Sequence, residues 1–161
     1  MATAWRLIED PPQDAATNMA VDEALFMSFC QHPGTPVLRL YSWSAPAFSF
    51  GYFQDLAEEL DLALCAAEHV AYVRRMTGGG VIFHHQELTY SLVCTKQDLG
   101  AGKSVVESFK RSCQFLLATY NKLGLDARFA VENPELHDFK HPSTFCLASQ
   151  EKYDITLYGR K

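Results

Sequence analysis

Arg74-Arg75-Met76-Thr77-Gly78-Gly79-Gly80-Val81-Ile82-Phe83-His84-His85 is the stretch of this chain richest in chemically useful groups. Three consecutive glycines let the main chain press against a ligand and reach positive φ, so that their N–H groups can converge on an oxygen. An arginine beside such a turn adds a planar fork for a carboxylate, a phosphate or a polarised carbonyl. The plainer reading is a glycine-rich hairpin turn carrying two solvated arginines. A second stretch is Ser143-Thr144-Phe145-Cys146-Leu147-Ala148-Ser149-Gln150-Glu151-Lys152-Tyr153-Asp154-Ile155. Cys146 stands there in a polar loop, away from any apolar stripe, although most lone cysteines are small buried hydrophobes. Gly100-Ala101-Gly102-Lys103-Ser104 imitates a phosphate loop, but the Walker pattern needs a glycine where Gln97 stands.

These groups have to be held by the elements around them. The glycine stretch lies between an apolar run at 70–73 and a strand-like run at 88–95. Upstream, the pattern predicts a strand over 5–8 and a helix over 14–29, with Val21, Ala24, Leu25 and Phe29 at helical spacing. Strands follow over 36–43 and 47–50. Leu56, Leu60, Ala63, Leu64 and Ala67 form one stripe and predict a helix over 55–68. Ser104 with Glu107 three residues on reads as a capping box. The helix it opens runs on Val105, Phe109, Cys113, Leu116 and Tyr120 to a stop at Gly124, which places Cys113 in packing. A strand over 126–131, a polar loop over 133–143 and an alternating strand over 153–158 complete the order.

The totals exclude several classes. At 161 residues and 48% hydrophobic content the chain is one domain's worth and can build a core. A net charge of −5 argues against a general nucleic-acid binder. No apolar run approaches membrane-spanning length, and residues 1–12 lack the apolar centre of a signal peptide. Five cysteines without a C-x-x-C pair favour a reducing cytoplasm over a disulfide framework and offer no zinc site.

The glycine stretch resembles the signature of lipoate-protein ligases and their octanoyltransferase relatives, roughly Arg-Arg-x-Thr/Ser-Gly-Gly-Gly-x-Val-x-His. Asn18-Met19-Ala20-Val21-Asp22-Glu23 is similar to a helix of the same family, and a core helix with a wet face would explain it equally. Arg39-x-Tyr41-x-Trp43-x-x-Pro46-x-x-Ser49-x-Gly51-x-x-Gln54 also resembles the family, where this segment borders the acyl pocket; an aromatic hairpin is the alternative. True lipoate ligases carry an Asn-Asp pair near the position of Cys146, and this chain has no such pair. It instead resembles the Cys-Phe-x-x-x-Ser-x-Tyr-Glu-Leu string of cysteine-dependent octanoyltransferases. Cys146, Ser149 and Tyr153 match; Leu147 replaces phenylalanine, the Ser149–Tyr153 spacing is longer, and Asp154 replaces glutamate.

The resemblance implies an α/β (α+β) fold, a mixed and largely antiparallel sheet flanked by helices. It makes residues 1–161 the N-terminal part of a single biotin/lipoate ligase-type catalytic domain. It implies an enzyme that moves octanoyl, or lipoyl, from an acyl-carrier-protein thioester through an acyl-cysteine to a lysine of a lipoyl domain. A thioester is already activated, so a thiolate can take the acyl group without ATP. Cys146 is the implied nucleophile, and Lys161, after Gly159-Arg160, the implied cation that holds the thiolate and the carbonyl oxygen. Arg75, Thr77 and the amides of Gly78, Gly79 and Gly80 would fix the carbonyl end. His84 is given a supporting part and His85 none. No cofactor and no metal are expected, with ATP and Mg entering only under the ligase alternative. The implied partners are octanoyl-acyl carrier protein and lipoyl-domain proteins such as glycine cleavage H protein and E2 subunits, in the cytoplasm, without nucleic acid or membrane. The second alternative is a non-catalytic subunit or fragment that binds acyl groups or lipoyl domains.

Overall fold

In a computed structural model that describes residues 4–102, 104–133, 152–158 and 160–161, the described chain falls into two compact units, one up to Cys94 and one from Thr95 on. Cys146, Lys103 and nearly all of the polar loop expected over 133–143 lie outside the described residues.

The first unit is built on two three-stranded sheets. In one, β1 (Arg6–Glu9) runs parallel to β2 (Val37–Tyr41), which pairs antiparallel with β6 (Thr89–Val93). In the other, β3 (Ala47–Phe50) is central, parallel to β4 (Ala71–Arg74) and antiparallel to β5 (Ile82–His84). Both sheets are mixed, as expected. The glycine stretch is therefore not a hairpin turn. It leaves β4 on one side of β3 and enters β5 on the other, so it crosses the end of β3. That crossing forces two main chains together: a Cβ on Gly51 would lie 2.0 Å from the carbonyl oxygen of Gly79. Gly79 itself has φ 102°, a conformation that L side chains rarely adopt.

Helix α1 (Ala15–Gln31) starts where Asp14 accepts from the Thr17 amide at 2.9 Å. It presents Ala15 and Met19 to Tyr41, Trp43 and Ala47, which form one core cluster. The single helix expected over 55–68 is two short ones, α2 (Leu56–Glu59) and α3 (Leu62–Ala67). Leu60 is extended (φ −132°, ψ 139°) and buried with Phe50, Cys65 and Val81, while Asp61 caps α3 by accepting from the Leu64 amide at 2.9 Å. Aspartate competes for main-chain donors and favours a helix start over a helix interior, so the second cap splits the run. The expected stripe shifts with it: Leu64 is exposed and Cys65 packs.

The second unit contains α4 (Val105–Lys122), an antiparallel ribbon of β7 (Ala127–Phe129) and β8 (Ile155–Leu157), and a 3₁₀ turn at Ala130–Glu132. Ser104 caps α4 and Gly124, at φ 76°, ends it. Cys113 is buried in α4, and burial pushes its thiol pKa up, as befits packing. Among the described residues no helix is long and apolar enough to cross a membrane.

Candidate active site

Sequence alternation puts residues 37, 39, 41 and 43 on the buried face of β2 and its extension, and one of them is an arginine. Arg39 is fully buried, and its charge is met on three sides. Nε donates to Asp10 at 2.7 Å, Nη1 to Asp22 at 2.8 Å and to the Asn18 carbonyl at 3.0 Å, and Nη2 to the Asn18 side chain at 3.0 Å. Burial works against the cation, but the bonds to Asp10 and Asp22 outweigh it and raise its pKa. Tyr41 and Ser91 also donate to Asp22, at 2.9 and 2.8 Å. The Asn18–Glu23 segment is thus more than a wet helix face: Asn18 and Asp22 anchor α1 to β2. Burial, then Asp22, drives the Tyr41 pKa far up.

Above this anchor lies a cavity of about 440 Å³, within the range of small-ligand sites. Met19, Phe26, Trp43, Ile82, Leu92 and Val93 give it apolar walls; Asp22, Ser49, Arg75, Thr77 and His84 give it polar points. Apolar walls with a few polar groups suit an aliphatic chain ending in a carbonyl.

The two arginines have different tasks. Arg74 lies 4.4 Å over the Phe50 ring, and its Nη1 donates to the carbonyls of Gly51, Tyr52 and Gln54 at 3.3, 2.8 and 2.9 Å. Arg75 points into the crossing. Nη1 donates to the Ser49 carbonyl and hydroxyl, both at 2.8 Å, and Nη2 to the carbonyls of Gly78 at 3.2 Å and Gly80 at 2.9 Å. With those carbonyls turned to the guanidinium, Arg75 shapes the glycine turn from within. The exposed Thr77 adds a clamp by accepting the Tyr52 amide at its carbonyl, 2.9 Å away.

His84 is buried at the end of β5. Its Nδ1 lies 2.5 Å from Glu87 Oε1 and its Nε2 lies 2.6 Å from Ser49 Oγ. Trp43 stacks on the imidazole at 3.9 Å and 13°, and donates through Nε1 to Thr89 Oγ1 at 2.8 Å, which donates on to Glu87 Oε1 at 3.0 Å. Burial holds the His84 pKa below its ordinary value of 6.5, against the pull of Glu87 and with a contribution from Arg75.

Of the residues proposed from sequence, Arg75, Thr77, Gly78, Gly79, Gly80 and His84 are brought together in the first unit. Lys161 belongs to the second, with Nζ 2.9 Å from Asp154 Oδ2. Cys146 lies outside the described residues. Sequence reasoning gave no role to Ser49, Asp22 or Glu87. Ser49 and Asp22 stood inside quoted motifs, and Glu87 follows His84 by three residues, but only strand pairing brings Ser49 to His84, and only the packing of α1 on β2 brings Asp22 to Arg39 and Tyr41. Among the described residues no three His, Cys, Asp or Glu side chains are grouped to hold a metal ion.

The model of the lipoyl protein ligase A/B catalytic domain matches residues 14–161, and the chain belongs to that family. Within it, the chain is 39% identical over 163 residues to octanoyltransferase LipM of Symbiobacterium thermophilum, covering 100% of this chain and 59% of that one. Among solved structures, lipoate-protein ligase A bound with ATP matches with a TM-score of 0.68 at 30% identity, over 89% of this chain and 55% of that one. A bi-partite lipoate protein ligase of Thermoplasma acidophilum, described with its E2 lipoyl domain, matches with a TM-score of 0.67 at 30% identity, over 84% and 50%. The chain spans about three fifths of the length of the curated octanoyltransferase relatives it matches.

Proposed function

We propose that this chain is the acyl-binding part of a cytoplasmic octanoyltransferase of protein lipoylation and that residues 1–161 belong to one catalytic domain. The observation that carries the reading is the largely apolar cavity of about 440 Å³ with Ser49, Arg75, Thr77 and His84 among its polar points, Arg75 in turn holding the carbonyls of Gly78 and Gly80. The acyl chain lies along Met19, Phe26, Ile82 and Leu92, which line the cavity with Thr77, and the thioester carbonyl is assigned to the neighbouring main-chain amides of Gly78, Gly79 and Gly80. The Cys146 thiolate attacks that carbonyl, the carrier-protein thiol leaves, and the acyl group rests on sulfur. A lipoyl-domain lysine amine then attacks the acyl-cysteine to form the amide and release the thiol. Lys161 supplies a cation for the thiolate and the developing oxyanion. Donor and acceptor are octanoyl-acyl carrier protein and a lipoyl-domain protein of the glycine cleavage H or E2 kind. The reaction needs neither a cofactor nor a metal, because the thioester arrives activated.

Similarity to a ligase bound with ATP favours a second reading, ATP-dependent lipoate attachment. Incubation of the purified chain with octanoyl-carrier protein, with and without ATP, separates the two. Under the transferase reading mass spectrometry finds one octanoyl group on the chain without ATP, and Cys146→Ala abolishes it. An adduct that survives that substitution removes Cys146 from the mechanism. Binding of octanoate without any transfer points to an acyl-binding subunit.

A further inference from the structure

The Glu87, His84, Ser49 and Arg75 contacts leave only one consistent arrangement of protons. A carboxylate can only accept, so His84 gives its Nδ1 proton to Glu87. The neutral imidazole then has a lone pair on Nε2, and the Ser49 hydroxyl, 2.6 Å away, donates to it. With its proton committed, Ser49 Oγ is free to accept from Arg75 Nη1. The other tautomer would set a lone pair against the Glu87 carboxylate. A doubly protonated ring would place two cationic donors, His84 and Arg75, on one fully buried hydroxyl and leave the hydroxyl proton without its acceptor. Arg75, at the far end, is the residue whose other amino group holds the carbonyls of Gly78 and Gly80.

We propose that Glu87, His84 and Ser49 form a positioning relay that sets Arg75 on the carbonyls of Gly78 and Gly80 and so fixes the main-chain conformation of the glycine turn. In this relay each of the three acts on the turn through the next. Protonation of His84 turns the Ser49 hydroxyl around, weakens its hold on Arg75 and loosens the turn. The groups that bear on this imidazole are Glu87 from the β5–β6 connection, Arg75 from the crossing, Ser49 from β3 and the Trp43 ring, with Tyr41 of β2 acting on Glu87's side of the network. The value of the relay for acyl transfer rests on the function proposed above; the proton arrangement does not.

The test is nuclear magnetic resonance on the isotopically labelled full chain, which needs no turnover. In the wild type, His84 should show the Nδ1–H tautomer, and the amides of Gly78, Gly79 and Gly80 should shift with the same midpoint as the imidazole. Glu87→Gln keeps an oxygen in place for His84 and Thr89 but removes the charge, so the His84 midpoint should fall by about one pH unit. Ser49→Ala cuts the relay: His84 still titrates, and the glycine amides no longer follow it. Glycine amides indifferent to His84 in the wild type overturn the proposal, and that measurement needs no variant to fold. An unmoved midpoint in Glu87→Gln, or unchanged coupling in Ser49→Ala, overturns it as well. An octanoyl-transfer assay on the same samples keeps the two readings apart. Coupled titration without transfer leaves the relay standing and removes the acyltransferase, and transfer without coupling does the reverse.

Discussion

Gly51 and Gly78 show how differently two glycines of one site can be used. A Cβ on Gly51 would meet main-chain atoms of the crossing turn at 2.0 Å, and main chain cannot swing aside as a long side chain can. Gly51→Ala should therefore cost about 2–3 kcal/mol in urea unfolding, at the upper end for overpacking. At Gly78 an added Cβ meets nothing within 4 Å, so Gly78→Ala should stay within about 0.5 kcal/mol whatever it does to ligand binding. His84 makes a pH prediction of definite sign. Its folded pKa is depressed by burial, so between its folded value and the ordinary 6.5 the unfolded chain binds a proton that the folded chain refuses. Stability is then full above about pH 6.5 and falls as pH drops through the folded pKa. Comparing urea midpoints of the wild type and His84→Gln across that window isolates this residue from the other five histidines.

Among the elements, the joint between α1 and β2 is held by a buried charge, Arg39 paired with Asp22 of α1 and with Asp10. Removing one partner of a buried ion pair strands the other, typically at 3–5 kcal/mol. Asp10 and Asp22 are not wholly buried, with side chains 28% and 15% exposed, so the lower end applies. Arg39→Leu should cost about 3 kcal/mol, read by denaturant unfolding, and should loosen α1 over the cavity. The break between α2 and α3 makes a smaller prediction. Asp61→Ala removes the cap on the Leu64 amide and should cost about 1 kcal/mol, with Leu60 still buried. A single continuous helix over 55–68 would instead gain from replacing an interior aspartate with alanine, so the sign of the change in melting temperature distinguishes the two.

For the whole molecule, the proposed thioester route and the ligase alternative differ in their need for ATP. ATP should leave the rate of acyl transfer unchanged, and lipoate should drive no ATP–pyrophosphate exchange; exchange above background would transfer the chain to the ligase side. Much of this was legible in the sequence. Local rules located β3 and the N-cap and end of α4, because periodicity and capping involve neighbours within a turn or two. The alternation in β8 misled, since Thr156 and not Ile155 or Leu157 is the buried residue. The glycine stretch was legible as a candidate site because few structural demands call for arginine, threonine and three glycines in a row. Three features were not legible: the burial of Arg39, the crossing of the glycine turn over β3, and the meeting of Ser49, His84 and Glu87. Each depends on which strands pair, and pairing is decided by burial over the whole unit rather than by local preference. The sequence by itself determined that two arginines, a threonine and three glycines stand together as a candidate site. Only the tertiary structure decided that Arg75 faces its own turn, since a cation is desolvated cheaply only where carbonyls and a hydroxyl already surround it.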